Sequence, residues 1–218
     1  DSLKILSAAG INTIGSLRKL MWLRGRRRIP SMVRSLLGAN WLKREIVLPP
    51  EIAGHGERFR RVGAEALGDL VEIPWSSTAL QFGRSAVFLR WRFFLVSALY
   101  GIYALQNDPS CFFVVRAAHR RGFSLIAIVD YRIAWAQRHQ FQAMIAAAKG
   151  LAVLGKFDGV ITMTSLEPLE RELRAASFVG VGTPARIVST WTGPHDIFVT
   201  MADCDTDLRF DQAGEEFG

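Results

Sequence analysis

FSLIAIVDYRI at 123–133, HQFQAMIAAAKGLAVL at 139–154 and FDGVITM at 157–163 decide the fold. The outer two runs are apolar and rich in β-branched residues, so they read as strands. The middle run places Phe141, Met144, Ile145, Ala148, Leu151 and Ala152 on one helical face. Gly155 follows it as a stop signal. A strand–helix–strand crossover within one sheet requires its two strands to be parallel.

Working outward, 99–106 and 111–118 read as two more strands before 123–133. Asn107-Asp108-Pro109-Ser110 and Arg120-Arg121-Gly122 are the turns between them, which gives an antiparallel meander. Ahead of it, 82–95 reads as a helix with Val87, Arg90 and Phe94 stepping along it. After the crossover, 166–176 reads as a helix supported by the Glu170–Arg174 pair. Strands at 185–191 and 197–201 follow. The class is therefore α+β, with a mixed, mostly antiparallel sheet flanked by helices.

The first 73 residues are less regular. Residues 1–9 read as the end of a helix, with Leu3, Leu6 and Ala9 on one face and Gly10 as its stop. Residues 11–23 read as a strand, broken by Arg24-Gly25-Arg26-Arg27-Arg28. Pro30 opens a short helix to Leu37, and Gly38 ends it. Residues 39–57, with Pro49-Pro50, Gly54 and Gly56, read as a linker. Residues 58–70 read as a helix, because Phe59, Val62, Ala66 and Leu70 are three and four apart. A chain that opens inside a helical pattern sets the expectation of a piece of something longer.

Composition excludes several classes. Half of the 218 residues are hydrophobic and 22% are charged, too apolar for a disordered chain. The longest apolar run, 93–105, is shorter than the ~20 residues that a spanning helix needs. Cys111 and Cys204 cannot make a disulfide framework, which points to a reducing, cytoplasmic setting. His55, His119, His139 and His195 fall at no metal-ligand spacing, and no metal is expected. There is no Gly-x-Ser-x-Gly elbow for a hydrolase.

The net charge of +7 is uneven. Residues 196–218 hold seven acidic residues and one basic, so the excess lies upstream. The basic stretch 18–34 lacks interleaved aromatics, which argues against nucleic acid. It is a candidate for peripheral membrane contact.

Some residues stand out chemically. Asp130 ends an apolar strand, where burial would raise its pKa and suit it to general-base work. Tyr131 beside it is a second proton carrier. Arg92 is a planar fork for a carboxylate or phosphate. Cys111 lies in an apolar run and reads as buried and inert. Asp203, Asp205 and Asp207 follow the last apolar strand. An Asp-x-Asp there also reads as a divalent-metal site of a nucleotide-sugar transferase.

The order of elements, with Phe88-Leu89-Arg90-Trp91-Arg92-Phe93, Ile128-Val129-Asp130-Tyr131, and Trp191 followed by Thr200-Met201-Ala202-Asp203-Cys204-Asp205, resembles the GNAT-like N-acyltransferases of polysaccharide and exosortase gene sets. The resemblance spans about residues 80–207. It implies transfer of an acyl group from an acyl-CoA thioester, usually acetyl-CoA, to the amine of an amino sugar or amino acid. It implies a groove between the strands at 123–133 and 157–163. It also implies pyrophosphate held at the next helix N-terminus, where Arg132, Arg138 and His139 stand. Asp130 and Tyr131 then fall to catalysis, and Arg92, Trp191, Asp203 and Asp205 to the substrate.

The resemblance divides the chain into the tail of an upstream GNAT-like module at 1–38, a linker and helix at 39–73, the module at 74–207 and an acidic tail at 208–218. The loop 132–138 has no glycine where such proteins carry a glycine-rich phosphate loop, and 166–176 has no tyrosine. These departures favour a second reading, a non-catalytic GNAT-shaped module that positions substrate for its neighbour.

Overall fold

The computed structural model describes residues 12–25, 46–95, 99–120, 123–190 and 196–204. The segments at 1–9, 30–37 and 205–218 that drew attention above lie outside them.

One large mixed sheet organises the molecule. Its strands are β1 (Asn12–Leu23), β2 (Glu51–Gly54), β3 (Glu57–Val62), β5 (Tyr100–Leu105), β6 (Asp108–Arg120), β7 (Phe123–Arg132), β8 (Gly159–Thr164), β9 (Val179–Gly180) and β10 (Ala185–Ser189). The spatial order is β10-β1-β8-β7-β6-β5-β3-β2, with β9 also on β1. Only β7 and β8 run parallel, joined by the crossover helix α2 (His139–Leu154). Helix α1 (Ala86–Phe94) precedes the meander, and α3 (Glu167–Ala175) follows β8. A separate parallel pair joins β4 (Leu80–Gln81) to β11 (Ile197–Phe198). The α+β class, the meander, the crossover and all three of these helices agree with the sequence reading. No helix among the described residues is long and apolar enough to cross a membrane.

Alternation along the strands loads both faces of the sheet. Phe113, Val115, Ile126, Ile128 and Val160 face the core beneath α2. Phe112, Val114, Leu125, Ala127 and Ile161 face a second core on the other side. Strand β7 is buried on both faces, which explains its unbroken apolar run.

The helix expected at 58–70 is not formed. Residues 51–62 make a hairpin, and 64–69 a short 3₁₀ helix. The spacing of three between Phe59 and Val62 misled the reading. In a strand an odd spacing sends side chains to opposite faces. Phe59 belongs to the first core and Val62 to the second. The hairpin turns at His55 and Gly56, with φ of 48° and 86°. Two successive residues at positive φ are what a two-residue hairpin of matching twist requires. The same hairpin means that 39–57 is not wholly linker, since β2 lies within it.

Along α1, Val87, Arg90 and Phe94 turn out to be exposed, and Leu89, Arg92 and Phe93 are the buried side. The expected strand at 11–23 is present as β1, built into this sheet between β8 and β10.

Strand β2 lies close against α2. A Cβ placed on Gly54 would stand 2.1 Å from the Ala143 carbonyl oxygen and 2.6 Å from the Ala147 nitrogen. Both are helix backbone and cannot swing away, so Gly54→Ala should destabilise by about 1–3 kcal/mol. Denaturant unfolding of the variant measures this, and an unchanged midpoint would contradict the close contact.

Candidate functional site

The site forms where β7 and β8 part. Their pairing runs from Leu125–Gly159 to Ile128–Thr162, after which both strands continue unpaired with each other. A bulge at the same point reshapes β7. Val114 pairs with Asp130 while Val115 pairs with Ile128, leaving Val129 as the extra residue. A bulge shifts side-chain parity by one. Strict alternation would place Asp130 with Ile126 and Ile128 under α2. Instead Asp130 shares the face of Val114, and Tyr131 joins the core beneath α2, its ring centre 4.9 Å from that of Phe141.

Asp130 is fully buried and meets two guanidiniums. Arg84 Nε donates to Oδ2 at 2.5 Å and Nη2 to Oδ1 at 3.4 Å. Arg132 Nη1 donates to Oδ1 at 2.9 Å, Thr200 Oγ1 at 2.8 Å and the Tyr131 N–H at 3.0 Å. Arg84 also pairs with Asp203. Glu72 accepts the Arg84 N–H at 2.6 Å and lies 3.8 Å from Arg132 Nε. Arg132 Nε has no hydrogen-bond partner of its own among the described residues. Two cations and three carboxylates thus share one largely buried network, in which each buried charge is compensated.

The segment 197–204 ties the parted strands together. The Ser165 hydroxyl, just past β8, donates to the Ile197 carbonyl and accepts the Val199 N–H at 2.8 Å. Thr200 reaches Asp130 on β7. Phe198 packs on Tyr131 and Trp75, with the Arg132 guanidinium 5.0 Å above its ring centre. Thr200 and Asp203 close a local loop of bonds, Asp203 Oδ2 accepting the Thr200 N–H at 2.8 Å.

This arrangement corrects the expectation for Asp130. Burial alone would raise its pKa, but Arg132 and Arg84 outweigh burial and hold it below the usual carboxylate range. With five donors on its two oxygens, it is poorly placed to receive a proton from an amine. Tyr131 is likewise buried. Its hydroxyl donates to the Met163 carbonyl at 3.1 Å, and burial raises its pKa well above the free value. It is not a proton carrier near neutrality.

The other predicted residues separate. Arg132 is buried in the network, while Arg138 and His139 are exposed at the start of α2. Arg138 stacks on Trp135, 4.6 Å from its ring centre. Several N–H groups of this loop are already bonded: Trp135 to the Trp75 carbonyl, Gln137 to Ala134 and Arg138 to Trp135. Arg92 lies buried under α1, with Nη1 donating to the Tyr100 hydroxyl at 3.2 Å. Asp203 joins the Asp130 network. Trp191 and Asp205 lie outside the described residues. Cys111 is buried and bonded to Gln140, and burial together with Asp108 pushes its thiol up to about 12, consistent with an inert thiol.

Arg84 and Glu72 escaped the sequence reading, and Thr200 was given no role there beyond its place in the Thr200–Asp205 stretch. Thr200 had a local signal, the Thr-x-x-Asp spacing to Asp203. Arg84 and Glu72 had none, since Arg84 meets Asp130 across 46 positions of sequence. No protein-family model matches the chain, and no curated protein matches it.

Asp130→Asn would leave Arg84 and Arg132 buried with less compensating charge. A loss of about 3–5 kcal/mol is expected in denaturant unfolding. The depressed folded pKa gives Asp130 a stabilising contribution that is present above its unfolded value, about 3.9. That contribution is lost as pH falls through the folded pKa. Unfolding midpoints measured from pH 6 down should therefore fall more steeply below about pH 4 in the parent than in Asp130→Asn. Parallel curves would remove Asp130 as the acid-sensitive group.

Proposed function

We propose that the chain is the non-catalytic GNAT-shaped module of an acyl-transferring protein, positioning substrate for a catalytic neighbour. The observation that carries this reading is the fivefold-bonded Asp130. It stands where β7 leaves β8, the place in which a base would face an incoming thioester. A carboxylate held ionised by two guanidiniums and a hydroxyl serves to fix the chain there. The bonded loop amides before α2 support the same reading, because a pyrophosphate needs N–H groups that are not already used. The acceptor class remains the amine of an amino sugar or amino acid, and the setting the cytoplasm.

The competing reading is direct attack of the amine on acetyl-CoA within this module. It is favoured by the parallel β7–β8 pair with its parted ends, and by Arg138 and His139 at the α2 N-terminus. The third reading, a metal-dependent nucleotide-sugar transferase, loses support because Asp203 is engaged by Arg84 and Thr200, donors that a cation would have to displace.

Calorimetric titration with acetyl-CoA separates the first two. No binding heat is expected up to about 1 mM, the top of the usual KM range. Saturable heat that disappears in Arg138→Ala would move the chemistry into this module.

A further inference from the structure

Helix α1 is apolar on both sides. Leu89 and Phe93 enter the second core, on the sheet face away from α2. The outward side carries Val87, Trp91 and Leu95, which are 78%, 58% and 73% exposed, with Phe94 beside them. Half-buried Phe88 continues the stripe, its ring centre 6.0 Å from that of Trp91. Arg90 is exposed too, but its Nη2 donates to the Ala64 carbonyl at 2.8 Å, which holds it to one side. A helix on a solvated surface ordinarily turns polar side chains outward. This stripe is instead on the order of 500 Å² of apolar surface, the size at which exposed patches mark interaction sites.

The spacing points to the occupant. Val87 and Leu95 lie equally far from Trp91 along the helix, and so do Phe88 and Phe94. The apolar pattern therefore reads the same in both directions. A two-fold axis level with Trp91 and perpendicular to the helix sets Val87 level with Leu95 of a second copy, and Phe88 level with Phe94. We propose that the chain forms a symmetric dimer through α1, packed antiparallel on its counterpart about Trp91. Each copy then presents the same surface, as a two-fold interface requires, and the five side chains bring no charge into the seam. A lipid surface makes no use of such symmetry. A standard interface takes about 800 Å² from each partner, more than the stripe supplies, so the dimer is a weak one. The inference uses none of the groups of the acyl-transfer reading and stands apart from it.

Analytical ultracentrifugation of the full chain from about 1 to 300 µM tests it. The mass should rise from one chain to two, with Kd on the order of 10–100 µM. Each copy carries a net charge of +7, so raising NaCl from about 50 to 300 mM should tighten the dimer by screening their repulsion. Trp91→Glu should weaken it at least about tenfold while the circular dichroism spectrum and unfolding midpoint stay parental. Val87→Glu alone should also weaken it. Val87→Glu combined with Leu95→Lys should restore it, because the two-fold axis sets those opposite charges against each other. A single-chain mass at every concentration would overturn the proposal. So would parental association of Trp91→Glu, or a double variant that associates no more tightly than Val87→Glu.

Discussion

A buried carboxylate cannot stand alone in a protein interior, and Asp130 shows how much of this fold answers to that constraint. Its partners come from the strand itself, the segment before α1 and the segment after β11. The Asp130 network therefore gathers three distant stretches at the point where the sheet divides. Ion pairs of this kind add little net stability against an apolar replacement, yet removing one member leaves the rest uncompensated. The network's role is to specify, holding 197–204 across the ends of β7 and β8.

Much of the architecture was legible because the signals were local. The α2 helix carries a full apolar face, and its bounds match the structure at both ends. The meander and the parallel crossover followed from short apolar, β-branched runs separated by turn residues and by the helix. The bulge at Val129 was invisible, since nothing in Ile128-Val129-Asp130 departs from a regular strand. Its effect was decisive, because it turned Asp130 from one face of the sheet to the other. The hairpin at 51–62 failed for another reason. Its Phe59–Val62 spacing satisfies a helix as well as a strand, and only tertiary pairing with β5 separates the two.

The site was legible in part. Asp130, Arg132 and Asp203 were chosen from sequence and do meet, but as mutually neutralising charges. The sequence reading assigned them to different tasks because it saw each residue's type without its partner. Arg84 converts Asp130 from a candidate base into an anchor. The glycine-free loop was the better guide, since it pointed towards a backbone that closes on itself, and the bonded amides of Trp135, Gln137 and Arg138 agree.

The placement of β1 bears on how the chain is made. Met21 lies beside Ile161, 140 residues later in the sequence, and Leu20 beside Gly180. At the ~5–20 residues per second of synthesis, β1 waits roughly 7–28 s for β8 to emerge. During that interval a twelve-residue strand bearing Leu17, Leu20, Met21 and Trp22 has neither sheet neighbour. The ribosome surface and chaperones are thus the first environment that this strand must tolerate. Arg18 and Lys19 act there as gatekeepers against premature pairing.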